Sequence, residues 1–417
     1  MATLRPAVRF GAFLLLACSG EAPESLSEPA PEPSAASEAP SAELAEPEAP
    51  QAPAVDFGFD ARTSRGATAL RNLDAQLDVA QTPEQKVALL LTRARYTGSY
   101  DDFAEAERLA RAAVEAEPDE RSAHATMASV HSALHRFEEA GASLDRADAL
   151  SEPGRHARER IVLELALGRV NFDLEIRARR LVETRRVYET LTTLASVVAA
   201  RGRFAEADML YIEATRSLRD VSPFPIAYVL FARGVMWAEM ANQPEKARPL
   251  YEEAVRRLPQ YVVANVHLSE LEVESNDQAQ ALQRLESVLD TGDPEPAGSL
   301  AELLAESEDE ADKARAVELT ERAKARYDVL LERHRLAFAD HGAEFFMGPG
   351  DDAERALELA EANLRSRPTP RAAAVAIDAA VAAEQGARAC EIAAEHAALR
   401  AHHPVFDEVA SEVEGCS

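Results

Sequence analysis

Histidine and cysteine are the residues best suited to hold a metal or attack a substrate, and this chain has ten of the first and three of the second. His124, His131 and His135 fall at i, i+7 and i+11, a spacing that gathers three imidazoles on one helix face as two or three metal ligands would require. The periodicity described below puts His124 and His131 where large packing residues belong and His135 at a turn, so packing is expected and no metal. No HExxH, P-loop, GxSxG or CxxC element is present. Gly348-x-Gly350-x2-Ala353 fits only the loosest dinucleotide fingerprint and follows no β-strand pattern, so no cofactor is expected either. Acid pairs such as Glu138-Glu139 and Glu252-Glu253 read as solvated helix faces, Phe345-Phe346 as the end of a packed helix, and His402-His403 before Pro404 as a turn. Met236, Trp237, Glu239 and Met240 are the candidate groove contacts, because the sole tryptophan between two methionines would make a soft patch for a partner helix, but core packing of Trp237 is the favoured reading. No catalytic residue is expected.

The elements that position these side chains begin after a leader. Arg5 and Arg9 precede an apolar run over 10–17, too short to span a bilayer, and then comes Cys18. Leu15-Leu16-Ala17-Cys18 resembles the lipobox of bacterial lipoproteins. That resemblance implies cleavage before Cys18, acylation of its thiol and a chain anchored to an envelope membrane by lipid. Residues 21–55 hold eight prolines, eight glutamates and no lysine or arginine, so this segment is expected to be a disordered, extended stalk. The organisation expected is therefore a signal peptide over 1–17, a lipidated N-terminus and acidic linker over 18–55, and a folded body over 56–417.

The whole chain carries 45 basic and 73 acidic residues, a formal charge of −28, which argues against nucleic acid as a partner. Few glycines and 6% aromatics disfavour a β-sandwich or barrel, while alanine, leucine, glutamate and arginine favour helices.

A period near 35 residues organises the body. Met127-Ala128-x2-His131-x5-Phe137-x2-Ala140-x3-Leu144-x2-Ala147 is echoed by Leu194-Ala195-x2-Val198-x3-Gly202-x-Phe204-x2-Ala207-x3-Tyr211-x2-Ala214, and in part by Ala247-x3-Tyr251-x2-Ala254-x4-Pro259. This pattern resembles the tetratricopeptide repeat (TPR). The small residue opening the second helix falls at Ala106, Ala140, Asp173, Ala207, Ala247, Ala281, Ala316, Ala356 and Ala389, at spacings of 34, 33, 34, 40, 34, 35, 40 and 33. Close helix crossing needs a small side chain there, so Asp173 marks a divergent repeat. The two long intervals are expected to sit in loops near 221–225 and 348–352.

The resemblance implies an all-α, right-handed superhelical solenoid of about nine hairpins, each touching only its neighbours, with the first helices lining a concave face. It further implies a non-catalytic scaffold that binds a protein or peptide partner there. Cys390 and Cys416 lie either side of a turn centred on residue 403; an antiparallel hairpin brings them level, and in an oxidising compartment they should form a disulfide that staples a C-terminal capping helix.

Overall fold

The computed structural model describes residues 66–413 apart from residue 220, together with Cys416. The assignments at 1–17 and 18–55, Cys18 included, lie outside the described residues. All regular elements among the described residues are helical. Their starts are marked locally. Thr82, Asn171, Asp277, Asp352 and Thr369 each accept a first-turn backbone N–H on a side-chain oxygen. Pro83, Pro223, Pro244, Pro370 and Pro404 open helices at the one position where a missing N–H costs nothing.

After α1 (Gly66–Val79) come nine hairpins. The first three are α2 (Pro83–Thr97) with α3 (Asp102–Ala116), α4 (Arg121–Ala133) with α5 (Phe137–Ala149), and α6 (Ala157–Ala166) with α7 (Phe172–Thr184). The middle three are α8 (Tyr188–Ala200) with α9 (Phe204–Ser217), α10 (Pro223–Val235) with α11 (Pro244–Arg257), and α12 (Val262–Glu274) with α13 (Gln278–Ser287). The last three are α14 (Glu295–Ala305) with α15 (Glu310–His334), α16 (Ala339–Met347) with α17 (Ala353–Ser366), and α18 (Pro370–Ala382) with α19 (Gly386–Glu395). The capping helix is α20 (Pro404–Glu412), and α10 continues into a π-helical segment, Met236–Met240. The chain is thus an all-helical repeat solenoid. Ala106, Ala140, Ala207, Ala247, Ala281, Ala316, Ala356 and Ala389 all lie on second helices, none more than 4% exposed.

Three sequence expectations need correction. In the divergent repeat the fourth helical position, where Ala140 and Ala207 sit, is held by Glu175 and not Asp173. Its carboxylate is buried but lies against Arg179, Arg201 and Arg203, so charge pairing replaces small size. The extra residues before Ala356 lie in α15, which runs 25 residues, and those before Ala247 largely in the π-extended first helix; Pro223 and Pro225 are already helical. The last correction concerns the path of the solenoid.

Repeats do not touch only their neighbours. The turn at Gly98 rests on Asp293, that at Gly168 on Pro368, and that at Gly202 on His402, so points about 200 residues apart in sequence meet. His135 Nδ1 bonds the Leu336 carbonyl at 3.1 Å, and Tyr100 donates its hydroxyl to Asp293 at 2.8 Å. The hairpin turns of the first four repeats therefore stack on the loops that precede α14, α16, α18 and α20. One apolar core accordingly joins Val87, Phe103 and Met127 to Leu300, Tyr327 and Phe346. The inner helices are enclosed as a result: α8 buries eleven of its thirteen residues and α12 ten of thirteen, against four of fourteen in the outer α9.

Candidate functional site: an acidic interior on the inner helices

The residues picked out from sequence separate into distinct environments. His124 Nε2 bonds the Pro118 carbonyl, His131 Nδ1 bonds Ser143 Oγ, and His135 bonds Leu336, so the three rings take separate partners. Cys390 and Cys416 are joined in a disulfide. Phe345 and Phe346 are buried at the end of α16, with Tyr327 against Phe345. Met236, Trp237 and the Glu239 side chain are buried and Met240 is half-buried, so these four form no accessible groove and the favoured reading, core packing, is the one that holds at Trp237. Trp237 Nε1–H donates to Asp208 at 3.0 Å, and Lys246 Nζ lies 3.9 Å from the ring centroid. Asp208 also takes Arg233, whose side chain is 2% exposed. This is core packing.

The interior that encloses them is not uniformly apolar. Four consecutive inner helices contribute carboxylates and imidazoles to one region: Glu239 from the π segment, His267 and Glu270 from α12, Glu295 from α14, and Asp340, His341 and Glu344 from α16. Arg371 enters from α18. The i, i+3 spacing of His267 with Glu270, and of His341 with Glu344, puts each pair on one helix face. The two pairs are 74 residues apart, two repeats, so the fold presents the same face twice.

Arg371 Nη2 donates to Glu344 at 2.8 Å and its Nη1 lies 3.8 Å from Glu239. His341 Nδ1 touches Glu295 and lies 4.0 Å from Glu344. His267 Nδ1 lies 3.5 Å from Glu239 Oε1 and 3.4 Å from Glu270 Oε2, in each case without hydrogen-bond geometry. Burial, then the charges of Glu344 and Asp340, push the Glu239 carboxyl well above its ordinary range, against the pull of Arg371. Glu270 is pushed up by burial and then by Glu239. His267 is drawn down to about 3 by burial and next by Arg371, so the imidazole is neutral at physiological pH. Burial also opposes the charge on Arg371, but Glu344, Glu239 and Asp340 more than offset it. Among the described residues, no group of three or more His, Cys, Asp or Glu is placed so that it could hold a metal ion.

This cluster escaped the sequence reading, which weighed Glu239 only as a surface contact. The legible sign was the recurrence of His-x2-Glu at matching positions two repeats apart.

No family model matches the chain, and no curated protein matches it. Among solved structures it is similar to human IFIT1 in its dimer with PPP-AAAA, at 14% identity, over 80% of this chain and 79% of that one, with a TM-score of 0.43. Yeast Tom70 aligns at 12% identity over 83% of this chain and 92% of its own, TM-score 0.32. A tetratricopeptide repeat protein from Parabacteroides merdae aligns at 14% over 61% and 98%, also with a TM-score of 0.32. At these scores no residue role or partner passes to this chain.

Proposed function

We propose that the chain is a protein-interaction scaffold of the bacterial cell envelope, without catalytic activity of its own, held to a membrane through acylated Cys18. The observation that carries this reading is the repeat architecture: nine stacked hairpins among the described residues present a regular outer surface, which suits binding better than turnover. Because the inner helices are enclosed, docking falls to the outer helices. The formal charge of −28 favours a partner with a basic surface. Phe172, Met209 and Val317, each about 65% exposed on outer helices, are the apolar points such a partner would cover.

Photo-crosslinking residues placed at Phe172, Met209 and Val317 in cells test the docking, with Glu138 as a control position. A discrete protein adduct from at least one site and none from the control is expected; adducts absent from all three sites would remove the scaffold reading. Mass spectrometry of the mature N-terminus tests the anchor separately. Diacylated or triacylated Cys18 is expected, and an unmodified terminus elsewhere would place the protein off the membrane.

A further inference from the structure

We propose that the open end of the furrow between α14 and α15 docks a short amphipathic helix of a partner protein, seated by a small apolar face and held by lysines or arginines along its flanks. The inference deepens the scaffold reading and rests on it. In this solenoid the first helix of a repeat packs against both helices of the repeat before it, and α16 touches α14 and α15 in that way. It covers only part of them. α16 has nine residues, against thirteen in each of α8, α12 and α18, and so reaches about 14 Å, whereas α15 has 25 and reaches about 37 Å. The end of α16 is fixed by Phe345. Its ring lies 3.1 Å from where a Cβ on Gly298 of α14 would be, and 4.9 Å, between centroids, from that of Tyr327 of α15. The chain then turns away through Gly348 and Pro349, and Gly350 must be glycine because a Cβ there would lie 2.7 Å from the Phe345 ring.

Past that turn the furrow continues as a groove of about 570 Å³, with Gly348 and Pro349 at its edge and the last turns of α14 and first turns of α15 as its walls. On α15 the lining residues are Lys313, Ala316, Val317, Thr320 and Glu321, at i, i+3, i+4, i+7 and i+8, which is one continuous helix face. Ala301 and Ala305, one turn apart, face it from α14. Val317 is 66% exposed, an apolar side chain on a face that elsewhere in the fold carries a neighbouring helix. The small side chains on both walls let another helix approach closely, so a helix laid end to end with α16 fits the space.

Charge identifies the occupant. From Glu302 to Asp312 the chain holds six acidic residues and no basic one. Glu302, Glu306 and Glu321 line the groove itself, and the basic residue beside them, Lys313, is already taken by Glu310 at 2.8 Å. An acidic rim on an apolar floor attracts lysine and arginine and repels anionic lipid head groups and nucleic acid. The formal charge of −28 works against a second copy of this chain in the same place. What remains is a partner helix with a narrow apolar stripe and basic flanks.

The test uses the full-length mature protein and two synthetic helical peptides of equal length with the same alanine and leucine stripe, one flanked by lysines and the other by glutamates. The lysine peptide is expected to bind one per chain at micromolar affinity, more weakly as salt rises, and the glutamate peptide not to bind. Glu306→Lys with Glu321→Lys should weaken the lysine peptide by about tenfold or more, and Glu138→Lys with Glu152→Lys, an equal change of charge outside the groove, should leave it within about twofold. All four glutamates are exposed, so both variants should fold. No binding tighter than millimolar, or equal losses in the two variants, overturns the proposal. Photo-crosslinking residues at Val317 and Thr320 in cells separate it from the scaffold reading. An adduct at Thr320 to a partner peptide bearing lysine or arginine is expected. Adducts at Phe172 or Met209 with none at Val317 or Thr320 leave the scaffold standing and remove the groove. An adduct at Thr320 that lacks basic residues, or that comes from a second copy of this chain, removes it as well.

Discussion

Glycine and its substitutes at the hairpin turns explain how two tiers of repeats come together. Eight turns carry a residue with positive φ: Gly98, His135, Gly168, Gly202, Asn242, Asn276, Asp351 and Glu384. Any residue that tolerates the left-handed region ends a helix there. In three of the first four repeats the residue is glycine, because another loop is pressed against it; a Cβ on Gly168 would lie 2.5 Å from the Pro368 carbonyl oxygen. The later turns use asparagine, aspartate or glutamate. Gly154 separates the two causes, with φ of +83° but nothing within 4 Å of a Cβ. Gly154→Ala should therefore cost only the backbone term, about 1 kcal/mol, and Gly168→Ala that plus overpacking, about 3 kcal/mol in total. Urea denaturation of the two variants checks this. Equal losses would mean that the tiers are not in close contact.

At the scale of elements, the C-terminal helix α20 is more than a lid on the last repeat. The Cys390–Cys416 disulfide closes a loop of 26 residues, worth about 3 kcal/mol through the unfolded state. Asn242 on the fifth repeat donates to Glu408 of α20, and His402 just ahead of the helix sits on Gly202 of the fourth. Cys416→Ser should therefore speed amide exchange near residues 200–203 and 236–243 as well as in 386–413. Hydrogen exchange with mass spectrometry reads this directly, and loss confined to 386–413 would show that the cap couples only to its own repeat. The hairpins, their alanines and this disulfide were legible because each is a local or near-local regularity: a helix period, a small residue at a crossing, two cysteines equidistant from a turn. The stacking of repeats about 200 residues apart was not, since helical periodicity says nothing of how tightly a solenoid winds. Asp173 misled for a related reason. Spacings of 33 and 34 to the flanking alanines pointed to it, whereas the helix start at Phe172 sets the register, and three arginines make Glu175 tolerable there. The acidic interior was hidden because a groove had been assumed, and in an open groove carboxylates need no explanation.

Over the whole molecule, closure of the interior makes stability depend on pH in opposed ways. Burial lifts Asp293 and Asp378 to about 7 in the fold. A carboxyl so shifted binds its proton more tightly folded than unfolded, so its contribution is full below pH 4 and is lost as pH rises through 7. His135 and His403, drawn down to about 4 by burial, work in reverse: their contribution is full above about 6.5 and is lost as pH falls through 4. Asp378→Asn should remove one cost of the first kind. It should stabilise the fold by on the order of 3 kcal/mol at pH 8, an advantage that disappears by pH 4. Urea midpoints across that range are the measurement, and a pH-independent difference would show that Asp378 ionises freely. The stacked tiers also govern the order in which the chain can be completed. Repeat proteins ordinarily fold as they leave the ribosome, each hairpin finding its partner within a few dozen residues. Here the turns at Gly98, His135, Gly168 and Gly202 have nothing to rest on until Asp293, Leu336, Pro368 and His402 have been synthesised, nearly half the chain later. The entropy of closing so long a loop grows only slowly with its length, so the finished structure loses little. The half-made one is left with an uncovered underside, and its survival depends on whatever holds nascent chains until the second tier arrives.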